Sequence, residues 1–274
     1  GPQLGLDEAQ METADRAASL CKADLATSLV VEMTSLQGVM GRYYALKAGE
    51  TESVAQAIED HYRPRFAGDG LPLSEEGFVV SLADRLDSLA GLFSVGVKPR
   101  STADPYGLRR DAIGILALLI GRKCRFSLRQ GLQAAAAQLP GGGDPEALEE
   151  AFDFVMRRLS VQLREEGFAP DVVEAVLSVG SDDPYKLRGI VEGLSEMVKE
   201  PDWLETLHAY SRCKRIVSDL PESYDLDDED PEKASAKLLE AYRGEAARKD
   251  RSKDGIAALR ESLRALRDPI NDFF

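Results

Sequence analysis

Histidine is nearly absent: His61 and His208 are the only two in 274 residues. Histidine-rich metal centres and most hydrolytic triads need positioned imidazoles, so those chemistries have almost nothing to build on. Cysteine is scarce as well. Cys21, Cys124 and Cys213 each lie about a hundred residues from the next, with no C-x-x-C spacing. That argues against a disulfide framework and a zinc site, and for a reducing compartment. Three small buried thiols are expected. No apolar run approaches the roughly 18–20 residues of a membrane span; "AIGILALLI" at 112–120 has the length of a buried core helix. The phosphate-cradling G-x-x-x-x-G-K-[ST], the dinucleotide G-x-G-x-x-G and the nucleophile elbow G-x-S-x-G are all missing. So is any convincing two-residue alternation of a half-buried strand.

What is present is helical. Leu82, Leu86, Leu89 and Phe93 share one helical face, as do Leu148, Phe152, Val155 and Leu159, and Leu108, Ala112, Ile115 and Leu119. Ile256, Leu259, Leu263, Leu266 and Ile270 follow a seven-residue alternation. The fold class expected is all-α. Asp104-Pro105, Asp144-Pro145, Asp183-Pro184 and Asp230-Pro231 each place a capping carboxylate before a proline suited to the first helical turn. "LPGGGDPE" at 139–146 reads as a connection between helices, and "PESYDLDDEDPE" at 221–232 as an acidic solvated loop. A domain boundary is expected near 165–182. The Gly1-Pro2 start reads as a protease-cleavage scar and the "RDPINDFF" end as a truncation, so the chain is expected to be a fragment.

One carboxylate needs a partner. In "SLADRLDSLAGLF" at 81–93, Asp84 and Gly91 lie opposite the leucine stripe, and Val80 joins that second face. A helix covered on both sides would half-bury Asp84. A metal shared with His61, a hydrogen bond or an arginine would each satisfy it, the structural partners being favoured.

The charge balance holds the main anomaly. The chain carries -14 overall, from 34 basic and 48 acidic residues, which disfavours indiscriminate nucleic-acid binding. Yet residues 98–129 hold Lys98, Arg100, Arg109, Arg110, Arg122, Lys123, Arg125 and Arg129 against Asp104 and Asp111 only, a local +6. Helix dipoles account for cations after a helix end. They do not account for Lys98 and Arg100 in a Gly/Pro/Ser/Thr loop, a composition that lets a phosphate backbone approach. Arg212, Lys214 and Arg215 in "SRCKRIV" form a weaker second cluster. Three readings follow from the residues: an RNA-binding region, a helical scaffold for protein contact, and a metal phosphohydrolase centred on His61 and Asp84.

Five stretches carry a resemblance: "LCKADLATSLVVEMTSLQGVMGRYYALKAGE" at 20–50, "HYRPRFAGDGLP" at 61–72, "ADRLDSLAGLFSVGVKP" at 83–99, "DPYGLRRDAIGIL" at 104–116 and "RDPINDFF" at 267–274. Together they resemble the β subunit of the bacterial-type heterotetrameric glycyl-tRNA synthetase, which in plant plastids is fused behind α. The resemblance implies a helical domain at 1–165 related to HD phosphohydrolases, then linker helices and a truncated helical-bundle anticodon-binding domain at 166–274. The adjacent His-Asp pair is missing; "EDHY" at 59–62 has the order reversed. The implication is an HD fold with a degenerate site at His61 and Asp84, no metal and no catalytic residue. In "CKRIV" Lys214 and Arg215 match the family's "NKRV" motif, with Cys213 where Asn is frequent. Glycine tRNA and the α subunit or α domain are the implied partners, with no membrane. ATP and glycine would be used by the α part, leaving this stretch without a cofactor. "ADRLDSLAGLF" and "AYSRCKRIV" lean toward plant or algal versions, which implies a plastid or mitochondrial setting; a bacterial origin implies the cytoplasm.

Overall fold

Short polar acceptors start most of the helices. Asp7 accepts from Gln10 N at 2.9 Å while Gln10 Oε1 accepts from Asp7 N at 3.1 Å, a reciprocal capping box. Thr51, Ser74, Ser127 and Asp144 do the same work singly. A computed structural model of the protein describes residues 4–66, 68–100, 103–218, 233–247 and 255–274. In chain order the helices are α1 (Glu8–Leu20), α2 (Ser28–Glu32), α3 (Val39–Lys47), α4 (Glu52–Asp60), α5 (Glu75–Ser94), α6 (Leu108–Gly121), α7 (Leu128–Ala136), α8 (Pro145–Glu165), α9 (Pro170–Leu177), α10 (Pro184–Val198), α11 (Trp203–Ile216), α12 (Lys233–Ala246) and α13 (Gly255–Phe273). No strand occurs among the described residues beyond an isolated bridge between Arg100 and Ala103, so the fold is all-α. The acidic stretch at 221–232, with Asp230-Pro231, and the Gly1-Pro2 start lie outside the described residues.

The chain divides into two compact units, Gly1–Gly167 with Val173–Arg188, and Phe168–Val172 with Gly189–Phe274. In the first, α5 is the central helix and packs on α1, α4, α6, α7 and α8. Its stripe Leu82, Leu86, Leu89 and Phe93 is buried, and so is Val80 on the opposite side. Gly77 lets the start of α5 press against Asp60, where a Cβ would collide with Asp60 Cβ. On α6, Leu108, Ala112, Ile115 and Leu119 are all buried, and on α8 so are Phe152, Val155 and Leu159.

One capping expectation needs correction. Asp144-Pro145 and Asp183-Pro184 do precede α8 and α10. Asp104-Pro105 does not start α6: the helix begins at Leu108 after Gly107 in the left-handed region, φ 73°. Asp104 instead reaches forward, Oδ1 accepting from Leu108 N and Oδ2 from Arg109 N, both at 2.9 Å. The cysteines also differ from expectation: all three are free, but only Cys21 is buried.

In the second unit α13 packs on α11 and α12. Ion pairs reinforce it: Arg267 reaches Asp202 at 2.8 Å and Arg264 reaches Glu200 at 2.8 Å. Its apolar pattern is less used than the sequence implies, since Leu259 is 49% exposed and no α13 residue is buried. Among the described residues no helix is long and apolar enough to cross a membrane.

Replacing Leu89 by Ala, on α5 and fully buried, is expected to cost about 2–5 kcal/mol in a urea titration. Leu259→Ala should cost less than ~0.5 kcal/mol. Equal losses would contradict this placement of the core.

Candidate nucleic-acid interface

The sequence-selected cations separate into three places. Arg100, Arg109 and Arg110 sit at the start of α6 and the loop before it, and Lys98 lies a little earlier on that loop. The loop is pinned by Arg100 N donating to Ala103 O at 3.0 Å and Ala103 N donating to Arg100 O at 2.8 Å. Arg109 Nη1 donates to Ala103 O at 3.3 Å, and the Asp104 cap holds its backbone. Arg122 and Lys123 lie at the other end of α6, about 20 Å away over 14 residues. Lys123 is left-handed, φ 52°, and closes the helix by donating to Ile120 O at 3.1 Å. Arg212, Lys214 and Arg215 belong to α11 in the second unit. Arg212 contacts Asn271 and stacks over Phe274 at 5.3 Å, while Lys214 and Arg215 are exposed in the last turn of their helix, where the dipole favours cations.

Several cations have carboxylate partners that the local sequence does not reveal. Lys98 pairs with Glu150, Arg122 with Glu75, Arg125 with Asp183 and Arg129 with Glu149. The pairs other than Arg125–Asp183, whose carboxylate is buried, are partly exposed on both sides. Such pairs contribute only ~0–1 kcal/mol each, so an arriving phosphate can compete for the cation.

The histidine region is occupied by structural bonds. Asp60, at the end of α4, is buried, and its Oδ2 accepts from Leu73 N at 2.9 Å and from Ser74 N at 3.0 Å. Its other oxygen accepts from Gln56 Nε2 at 3.1 Å. His61 is fully buried, with Nδ1 2.5 Å from Ile58 O. Burial lowers its pKa against the effect of that bond, so the ring is held neutral, and Nε2 has no hydrogen-bond partner. Asp84 is half-buried as expected, but its partner is Lys22, 62 residues earlier. Burial works against the Lys22 charge; the bond and the field of Asp84 outweigh it and raise the lysine pKa. Among the described residues no three His, Cys, Asp or Glu side chains come together as a metal-holding group.

Arg85 on α5, a residue the sequence reading passed over, fastens this region. It is buried. Nη1 donates to His61 O at 3.2 Å and Ser81 O at 3.0 Å, and Nη2 donates to Tyr62 O at 3.2 Å and Pro64 O at 2.9 Å. Gly114 of α6 makes room for it, since a Cβ there would strike Arg85 Nε. A cavity of about 330 Å³ lies above, lined among others by Lys22, His61, Asp84, Arg85, Arg110 and Asp111. Burial pushes the Asp111 carboxyl up to about 6, with Arg85 opposing.

A family model described as "Glycyl-tRNA synthetase beta subunit" matches residues 3–178. The chain is similar to the glycine–tRNA ligase beta subunit of Moorella thermoacetica, 40% identical over 270 residues, covering 95% of this chain and 39% of that protein. It is 37% identical over 281 residues to the beta subunit of Methylobacillus flagellatus, covering 100% and 39%. Against the chloroplastic/mitochondrial glycine–tRNA ligase 2 of Arabidopsis thaliana it is 34% identical over 275 residues, covering 99% and 26%. The chain thus spans about two-fifths or less of the length of these relatives.

The Asp111 carboxyl gives a pH test. Its folded pKa of about 6 stands above the ordinary 3.8, so the folded state holds the proton more tightly. Its contribution to stability is complete below 3.8 and is lost as pH rises through about 6. Asp111→Asn should remove that loss between the two values in denaturation midpoints measured against pH. An unchanged profile would show the carboxyl to be unperturbed.

Proposed function

Because the chain belongs to the glycyl-tRNA synthetase beta subunit family, we propose that it is a tRNA-contacting, non-catalytic part of glycine–tRNA ligase. On this reading the α subunit or α domain supplies the site for ATP and glycine, and residues 1–165 form an HD-like helical domain. Residues 166–274 then supply linker helices and part of an anticodon-binding domain, with Arg212, Lys214 and Arg215 as its cations. The observation that carries the proposal is the start of α6. There Arg109 and Arg110 are adjacent, Asp104 anchors the backbone at Leu108 and Arg109, and Arg100 stands on the pinned loop beside them. Cations held on a short, tied loop suit the phosphates of a folded RNA. The acidic body repels RNA that approaches elsewhere, which confines contact to such places.

The non-catalytic part of the proposal draws on the histidine region. Asp60 spends one oxygen on backbone N–H groups and the other on Gln56, Asp84 is paired with Lys22, and His61 is buried and neutral. Those side chains are committed to holding the fold. A second reading, a helical scaffold for a protein partner, is favoured by exposed apolar side chains: Val31, Met33 and Tyr43 are 66%, 55% and 58% exposed.

The proposed RNA contact is tested by titrating the chain with glycine tRNA at several salt concentrations. Arg109→Glu with Arg110→Glu should weaken binding at least about tenfold and lower the slope of log K against log salt by about 2. Affinity equal to the parent would remove this face from the interface. No RNA affinity in the parent, even at low salt, would favour the scaffold.

A further inference from the structure

Between the loop after His61, α6 and α8 lies a cavity of about 680 Å³ that the proposed function does not use. Its volume is within the ~300–1,000 Å³ of ligand-binding pockets. Its lining joins two kinds of side chain. Phe66, Ile113 and Val161 are apolar yet 62%, 40% and 43% exposed. Arg65, Arg110 and Arg158 stand around them, one from each wall.

Part of this lining is held by contacts within the protein. Arg65 is held by Asp69: Nε donates to Oδ2 at 2.8 Å, Nη2 to Oδ1 at 3.2 Å, and the backbone N to Oδ2 at 2.9 Å. That places its guanidinium 5.8 Å from the Phe66 ring centre. Arg158 lies over Phe154 at 5.5 Å, and its buried Nε has no hydrogen-bond partner. Arg85 clamps the loop from beneath through Pro64 O at 2.9 Å. Gln162 and Glu165 add an amide and a carboxylate on the α8 wall.

An exposed aromatic ring beside apolar side chains offers a stacking platform, which every nucleobase can use. Guanidinium groups around it suit the phosphate of the same nucleotide, and an amide or carboxylate can meet a base edge. A duplex cannot present a base face to this cavity; an unstacked nucleotide can. We propose that this notch receives one unpaired nucleotide of the bound RNA, its base against Phe66 and its phosphate among Arg65, Arg110 and Arg158. The proposal rests on the RNA-contacting reading of the chain.

The experiment compares tRNA affinity across salt for the full chain and three Phe66 variants. Phe66→Ala should weaken binding about tenfold with the salt slope unchanged, because stacking is lost and no charge is removed. Phe66→Leu keeps apolar bulk without a π face and should lose nearly as much; Phe66→Tyr should bind like the parent. Ultraviolet crosslinking should join a nucleotide to the peptide containing Phe66. If Phe66→Ala and Phe66→Leu bind as the parent does while the Arg109/Arg110 double variant is weakened, the notch is excluded and the RNA reading stands. If the parent binds no RNA, both fall. Should Phe66→Ala melt early, Phe66→Leu against Phe66→Tyr decides.

Discussion

A single buried guanidinium organises the first unit. Arg85 donates to the carbonyls of His61, Tyr62 and Pro64, and so ties the exit of α4 to the middle of α5. A buried charge is costly unless its bonds are satisfied. Here three backbone carbonyls of a non-helical turn, themselves in need of donors, satisfy its Nη groups, while Nε has no hydrogen-bond partner. Gly114 admits α6 to the same place. Removing Arg85 would therefore leave acceptors unpaired on the loop and a void beneath α6.

This clamp connects two features that are otherwise separate. On its inner side the histidine region becomes a structural joint: Asp60 orders the backbone at Leu73 and Ser74, His61 is sealed from solvent, and Asp84 is neutralised by Lys22. On its outer side the same loop continues into Arg65 and Phe66, which it presents beside Arg110. On the proposed reading, this joint is the footing of the RNA-binding surface. That division of labour is a constraint of packing, since side chains used as clamps are not available as ligands.

Local pattern revealed the helices and not their partners. The α5 stripe and the α6 stripe were legible because burial repeats with the helical period, and Leu89 and Ile115 are both fully buried. Asp144-Pro145 was legible because its cap bonds within two residues, to Glu146 N at 3.2 Å. Asp104 departs from the local pattern because it caps across four and five residues through a left-handed Gly107. The +6 segment was visible as charge, but Glu150, Glu75, Asp183 and Glu149 come from distant helices and loops. Lys22 for Asp84 was invisible for the same reason. Phe66 and Arg65 left one signal, an aromatic beside a cation in "RPRF", which is too common to single out. Leu259 keeps the apolar period yet is 49% exposed, although α13 packs on α11 and α12.

On the proposed reading, RNA meets this protein on the outer side of the Arg85 clamp, at Pro64–Phe66 and the start of α6. Amide hydrogen exchange of the chain with and without glycine tRNA measures that directly. The account predicts slowed exchange at 64–70 and around 100–111, with the deep core of α5 unchanged. Protection confined to other segments, or no protection at saturating tRNA, would contradict it.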